Sequence, residues 1–221
     1  HDFPGREEAW RYTDVRPIAR KTLAPATTPG PAPEPETVAA WSFDEPRPAR
    51  LVIVDGHFRA ELSDLGGLPE GVSALPMSQA LEQAPAALAD HLGRYAEEVA
   101  QPFTALNTAY MTDGLFLHVG SGVEVATPIH VLYLTTGAAD GHAVYTRSLI
   151  VADPDSAVTV VEDYVGLSDE ATYSSSTSNI PDGGTTVATR GTIMGGSAVT
   201  IAARKLKNLM AEHLAEELGC N

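Results

Sequence analysis

Short apolar runs separated by turn-forming residues dominate the chain from Leu115 onward. Four of these runs are rich in β-branched and aromatic residues: LFLHV, PIHVLYL, HAVYTRSLIV and AVTVVEDYV. The stretches between them, GSG, TTGAADG and ADPDS, have the composition of tight turns. The pattern therefore predicts strands with no helix between them, which excludes a βαβ succession. A sandwich, a barrel and a β-solenoid remain open, and a strand spacing of about 14 residues suits the solenoid.

The first half of the chain mixes strand and helix patterns. RLVIVDGHFRAEL (50–62) predicts two short strands around a hairpin turn at Asp55-Gly56. FTALNTAYMTDG (103–114) predicts a short helix that ends at the Asp113-Gly114 turn. Residues 78–101 predict a longer helix, because four side chains recur at spacings of four, three and four: Leu88, Leu92, Tyr95 and Val99.

Both ends of the chain carry further helix patterns. Residues 1–23 predict a short helix with Trp10 on its packing side. The stretch TLAPATTPGPAPEPE follows, and its five prolines favour an extended linker over a packed element. Near the C-terminus, TVATRGTIMGGSAVTIAA predicts two small-residue strands, and an amphipathic helix follows at 205–218. Its apolar stripe consists of Leu206, Leu209, Met210, Leu214 and Leu218.

Composition excludes several classes of protein. The chain has 14 Lys and Arg against 29 Asp and Glu, a net charge of −15, which argues against nucleic acid or an anionic membrane as partner. No apolar run approaches the roughly 18 residues that a membrane span needs, and the start of the sequence lacks the apolar stretch of a signal peptide. A single cysteine, Cys220, excludes an intramolecular disulfide or a thiolate metal cage from this chain alone. We therefore expect a soluble, cytoplasmic protein.

Motifs for catalysis are missing from the sequence. Gly120-Ser-Gly122 lacks the third glycine and the following helix of a dinucleotide loop, so a hairpin turn is the simpler interpretation. No Walker motif and no G-x-S-x-G motif is present. His118 and His130 lie within apolar strand runs, where a histidine with a hydrogen-bonded ring is expected more often than a metal ligand. Glu162 and Asp163 are adjacent and would point to opposite faces of a strand. We predict no catalytic residue, no metal ligand and no enzyme activity.

Several segments occur in the order found in one known family. FPGREEAWRYTDVRPI near the start, RLVIVDGHF (50–58), FTALNTAYMTDGLFLHV (103–119), TPIHVLYLT (127–135) and VTVVEDYVG (158–166) resemble the SufD family of iron–sulfur cluster assembly proteins, in the SufB/SufD superfamily. The resemblance covers about residues 1–166. Beyond it the stretch 174–221 is atypical, and a family member is normally much longer. Five residues match motif positions, and we expect packing and turn roles for them: Trp10, Arg11, Tyr12, Asn107 and Asp113.

The resemblance implies a mainly β fold with an N-terminal α region, in which a right-handed parallel β-helix follows a small helical region. Residues 1–102 would form the N-terminal region with the Pro-rich linker and hairpin, 103–203 the β-helix core, and 204–221 the C-terminal amphipathic helix. It also implies a scaffold subunit that works with a SufB-like subunit and a SufC-type ATPase. An iron–sulfur cluster would be present only transiently in the assembled complex, with no cofactor in the isolated chain.

Two other functions compete with this interpretation. A free-standing β-solenoid that binds or modifies carbohydrate would use the Ser/Thr/Gly-rich β region with exposed Tyr145, Tyr164 and Tyr173. The second alternative is a homodimer, because the unpaired strands at the end of a truncated solenoid favour association. We expect association, with a SufB-like subunit or a second copy, through that end and the helix 205–218.

Overall fold

The described part of the β region from Leu115 onward consists of six short strands with no helix between them. The computed structural model describes residues 22–42, 49–95, 102–136, 141–167 and 173–176. The strands are β5 (Leu115–Val119), β6 (Ile129–Thr135), β7 (His142–Thr146), β8 (Leu149–Ala152), β9 (Val160–Gly166) and β10 (Tyr173–Ser176). The predicted helix around Trp10, the predicted strands and helix after Thr186, and Cys220 lie outside the described residues.

Each of the first three strands of this region pairs with the third strand after it. β5 pairs with β8, β6 with β9 and β7 with β10, and all three pairs are parallel. Parallel neighbours cannot be joined by a tight turn and need a crossover connection. Here the crossover consists of the two intervening strands, which belong to the other two sheets. We call β5–β7 the first set and β8–β10 the second set.

The elements before the β region are short. Within the described residues before Leu115, four strands are present: β1 (Ala24–Pro25), β2 (Ala49–Val54), β3 (His57–Phe58) and β4 (Val72–Pro76). Four helices accompany them: α1 (Pro35–Ala39), α2 (Met77–Gln83), α3 (Pro85–Ala89) and α4 (Pro102–Tyr110), with a 3-10 turn at Ala60–Leu62. Within the described ranges, every helix is too short or too polar to cross a lipid bilayer.

These early strands extend the same three sheets. β1 pairs with β7 and β2 with β6, both parallel, while β4 runs antiparallel to β5. The predicted hairpin is confirmed, because β3 folds back on β2 across Asp55 and Gly56. Both turn residues have positive φ, at 50° and 84°, as a two-residue type I′ turn requires. The described sheets have the orders β1-β7-β10, β3-β2-β6-β9 and β4-β5-β8.

Strands β2 and β6 are buried on both faces. Leu51, Ile53 and Tyr133 lie in one apolar cluster with side chains of β5. Val52, Val54 and Leu132 alternate with them and pack in a second cluster around Val38 of α1. A strand covered on both faces reads as a continuous apolar run, which is why RLVIV and PIHVLYL show no polar alternation.

The predicted helix at 78–101 is wrong in its continuity. Helix α2 ends at Gln83, and α3 begins at Pro85 after Ala84 leaves the helical region with φ −134° and ψ 45°. A proline disfavours helical geometry at the residue before it, so the sequence favours a break at this point. Leu88 is nonetheless buried, with Leu92 and Tyr95 packed beside it as the spacing predicted. Val99 lies outside the described residues.

The Pro-rich stretch is largely exposed and extended as predicted up to Pro35, where α1 begins, but at residues 24–26 it is attached to β7. Ala26 is buried, and its backbone N–H donates to the carbonyl of Ala143 at 2.9 Å. Pro25 lacks a donor, yet the residues on either side of it keep theirs and can pair with β7. Further along, Arg59 donates to the carbonyl of Gly30. Alternation of proline with alanine therefore permits one-sided strand pairing.

Two predicted β features take a different form. The run HAVYTRSLIV is two strands, because the chain turns between β7 and β8 at Arg147 and Ser148. The turn at Gly120-Ser-Gly122 does not join hairpin partners, since β5 and β6 belong to different sheets. Its Gly122 N–H instead donates to the carbonyl of Pro154 at 3.0 Å, so this turn is bound to the Pro154-Asp155 turn that follows β8.

Candidate functional site

A buried carboxyl group lies inside the strand stack. Glu162 on β9 is 9% exposed and accepts a hydrogen bond of 2.7 Å from the hydroxyl of Ser148. The hydroxyl of Tyr133 on β6 lies 2.7 Å from Ser148 Oγ and 3.4 Å from Glu162 Oε1. The rings of Tyr133 and Tyr164 stack with centroids 4.5 Å apart and planes 11° apart. We call these four residues the Glu162 cluster.

Burial dominates the electrostatics of this cluster. Loss of hydration raises the pKa of Glu162 above its ordinary value, because the interior disfavours the charged carboxylate. Hydrogen bonds from Ser148, Tyr133 and Tyr164 lower the same pKa but do not cancel that effect. Burial, followed by the nearby Glu162 charge, raises the pKa of Tyr133 well above its ordinary value. The cluster therefore favours neutral groups.

Two histidine–carboxylate pairs connect the first set to the second. His130 Nε2 on β6 lies 3.1 Å from Asp163 Oδ2 on β9, and the His130 side chain is fully buried. His118 Nε2 on β5 lies 3.1 Å from Asp153 Oδ2 beyond β8, and both of those side chains are about 40% exposed. The prediction of hydrogen-bonded histidine rings is thus confirmed. Glu162 and Asp163 contact different partners, as their opposite faces predicted.

Replacing the acidic residue of each pair by alanine should show how much a buried and an exposed histidine–carboxylate pair each contribute to the free energy of unfolding. We expect Asp163→Ala to lower the free energy of unfolding by about 1–3 kcal/mol, because the buried His130 ring loses the hydrogen bond to this carboxylate. The matched change Asp153→Ala should cost less than about 1 kcal/mol, because water replaces the lost contact at that exposed site. Urea unfolding followed by circular dichroism measures both. Equal losses in the two variants would contradict the role of burial.

The matched motif residues Asn107 and Asp113 have packing roles, as predicted. Asn107 is fully buried, donates to the carbonyl of Thr146 at 2.7 Å and accepts from Arg147 Nε at 2.8 Å. The Asp113 carboxylate accepts from the backbone of Phe58, from Ser78 and from the backbone of Gly114. Trp10, Arg11 and Tyr12 lie outside the described residues.

The carbohydrate alternative loses part of its support, because two of its three tyrosines are covered, while the side chain of Tyr173 lies outside the described residues. Tyr145 is buried at 8% exposure, and Tyr164 is half-buried against Tyr133. Contrary to the expectation of exposed tyrosines, neither presents an open ring face to a sugar. A surface cavity of about 300 Å³ is lined by Ala49, the loop 66–69 and residues 124–127, and none of those side chains is aromatic. Among the described residues, no three His, Cys, Asp or Glu side chains are grouped to hold a metal ion.

Sequence reasoning did not find the Glu162 cluster. The sequence places Glu162 beside Asp163 only, whereas its hydrogen-bond partners Tyr133 and Ser148 lie outside its own strand. A carboxyl group within the run VTVVEDYV was the available signal, because an acidic residue in a buried strand needs hydrogen-bond donors. Those donors, Ser148 and Tyr133, are identifiable only once the strand pairing is known.

A family model described as the SufBD protein N-terminal region matches residues 2–131, more than half of the chain. The chain belongs to the SufB/SufD family. An iron–sulfur cluster assembly SufBD family protein of Synechocystis is 29% identical over 169 residues, which cover 76% of this chain and 36% of that protein. The iron–sulfur cluster assembly protein SufD of Bacillus subtilis is 39% identical over 62 residues, which cover 28% of this chain and 14% of that protein. The chain thus spans well under half the length of these SufB/SufD relatives.

Proposed function

We propose that this chain is a SufD-type scaffold subunit of the SUF iron–sulfur cluster assembly machinery. The observation that carries the proposal is the family match over residues 2–131. Both relatives are named as iron–sulfur cluster assembly proteins, and one of them is named SufD. The motif E-x-x-W-R-Y-T-D at the start of the chain supports the SufD assignment over its paralogue SufB.

The strand pairing supports a right-handed parallel β-helix as the framework of this scaffold. Three parallel pairs, each joining a strand to the third strand after it, are what a three-sided coil of strands requires. Such a coil is rigid because each strand is buried between neighbours, and it presents a long side surface to other subunits. We propose a SufB-like subunit and a SufC-type ATPase as the partners, with a homodimer as the competing assembly.

The scaffold role requires no chemistry from this chain alone. We propose that the chain is not an enzyme, acts in the cytoplasm and holds no metal or cluster tightly by itself. A cluster commonly needs four ligands, and the one thiol of the chain, Cys220, supplies a single soft ligand. The assembling cluster is then held only in the complete complex, between subunits.

Co-purification tests this proposal directly. The chain is co-expressed with the SufB-like and SufC-type subunits of its own organism, and the affinity-purified material is analysed by light scattering. We expect a complex that contains all three chains, and restored growth of a sufD deletion strain under iron limitation. An unrelated β-solenoid carrying the same tag is the control for non-specific capture. Recovery of the chain alone, as monomer or homodimer, together with no restored growth, would contradict the proposal.

Metal analysis tests the proposal that the isolated chain holds no metal or cluster tightly. Chain purified without air should contain less than stoichiometric iron and acid-labile sulfide. Stoichiometric amounts of both in the isolated chain would show that the chain carries its own cluster site.

A further inference from the structure

Glu162 connects the first set of strands to the second at the point where they stack. It lies on β9, directly beside Val131 of β6 in the parallel ladder, and Tyr164 of β9 lies beside Tyr133. Ser148, which donates to the carboxyl, occupies the turn between β7 and β8. One carboxyl group therefore contacts the start of the second set and the middle strand of the first.

The surroundings leave the carboxyl few ways to be stabilised when it is charged. The polar groups that face it are the hydroxyls of Tyr133 from β6, Ser148 from the turn before β8, and Tyr164 from β9 itself. The side chains of β2 and β5 that belong to the adjoining apolar cluster are Leu51, Ile53, Leu115, Leu117 and Val119. Three neutral hydroxyls offset only part of the cost of a charge at 9% exposure.

We propose that Glu162 makes the packing of the second set on the first depend on pH. With the carboxyl protonated, the Glu162 cluster is a neutral hydrogen-bonded group and β9 stays paired with β6. When the proton is lost, the carboxylate gains hydration by separation of β9 from β6, so the second set opens more often. This inference concerns the strand stack itself and does not rest on the scaffold function.

The direction of the effect follows from proton linkage. Burial raises the pKa of Glu162 in the packed state above its value in the open state, so the packed state binds the proton more tightly. The stabilising contribution is fully present below the open-state pKa and is lost as pH rises through the raised packed-state pKa. Between those two values the opening equilibrium constant should rise by at most about tenfold per pH unit.

Native-state hydrogen exchange of the full chain measures this opening. Exchange rates of the β9 amides are divided by the intrinsic rate at each pH and compared with those of β2. We expect the protection of β9 to fall with rising pH while that of β2 changes less. Glu162→Gln should abolish this difference, because the amide cannot lose a proton. Glu124→Gln, a change at an exposed carboxyl, is the matched control and should behave like the unmodified chain.

A second variant should enlarge the effect. Ser148→Ala removes a donor that favours the charged carboxylate and so raises the packed-state pKa of Glu162 further, with the result that the fall in β9 protection should continue to a higher pH. Parallel changes at β9 and β2, or an unchanged pH dependence in Glu162→Gln, would overturn the proposal. If neither variant folds, ¹³C NMR of the unmodified chain decides: the Glu162 carboxyl must titrate above the ordinary value of a glutamate, and a midpoint at that ordinary value would overturn the proposal.

Discussion

Replacing Gly114 by alanine should prevent the chain from folding to its native state. A Cβ at this position would lie 1.8 Å from the carbonyl oxygen and 2.9 Å from the backbone nitrogen of Arg147. Neither segment can move away: the Arg147 N–H donates to the Asp113 carbonyl at 3.0 Å, and Thr112 N–H donates to the Tyr145 carbonyl at 3.0 Å. We expect a loss of about 4 kcal/mol or more, comparable to the stability of a marginal domain.

Soluble yield and urea unfolding of Gly114→Ala measure this loss. Gly66→Ala is the matched control, because a Cβ there would meet only the side-chain oxygen Oδ1 of exposed Asp64, at 3.2 Å. That side chain can rotate away, so the control should stay within about 0.5 kcal/mol of the unmodified chain. A stable Gly114→Ala variant would show that the segments around Asp113 and Arg147 are not held as closely as described.

Replacing Asp113 by alanine should cause the second-largest loss. Its carboxylate is 5% exposed and accepts hydrogen bonds from Ser78 N at 3.0 Å, Ser78 Oγ at 2.9 Å, Phe58 N at 3.3 Å and Gly114 N at 3.0 Å. It therefore joins the β2–β3 hairpin, the first turn of α2 and the entry to β5. Leaving these donors without an acceptor should lower the free energy of unfolding by about 3–5 kcal/mol.

Two further variants test whether the acceptor atoms carry this effect. Asp113→Asn retains one carbonyl oxygen and should recover part of the loss. Asp64→Ala removes one exposed contact, the 3.0 Å bond from Gly66 N, and should cost less than about 1 kcal/mol. If Asp113→Ala and Asp64→Ala unfolded at the same urea concentration, the carboxylate of Asp113 would not be the organising group.

Local features of this fold were predictable because local chemistry decides them. The Asp55-Gly56 hairpin required two residues that tolerate positive φ, and the sequence provides them. The helix within 103–114 and the β character of the runs after Leu115 follow from the local pattern, although the helix ends at Tyr110 and not at the predicted Asp113-Gly114 turn. The helix break before Pro85 was also predictable from the sequence. The prediction of one helix instead followed the apolar spacing of Leu88, Leu92 and Tyr95.

Features that depend on pairing were not predictable in the same way. Arg147 and Ser148 interrupt a continuous β run, and both are buried through contacts with Asn107 and Glu162, which lie far along the chain. A polar pair inside an apolar run looks the same in the sequence whether the chain turns there or continues as one strand. Only the three-dimensional partners distinguish the two.

The pairing of each strand with the third strand after it has a consequence for synthesis on the ribosome. β8, β9 and β10 each pair with a partner that lies about 30 residues earlier in the chain, and β4 is the only described partner of β5 that precedes it. Every such partner has therefore already been translated when the later strand emerges. The loop to be closed has nearly the same length for these three pairs, so its entropic cost is nearly the same for each of them. The chain can fold in the order in which it is made, one strand at a time.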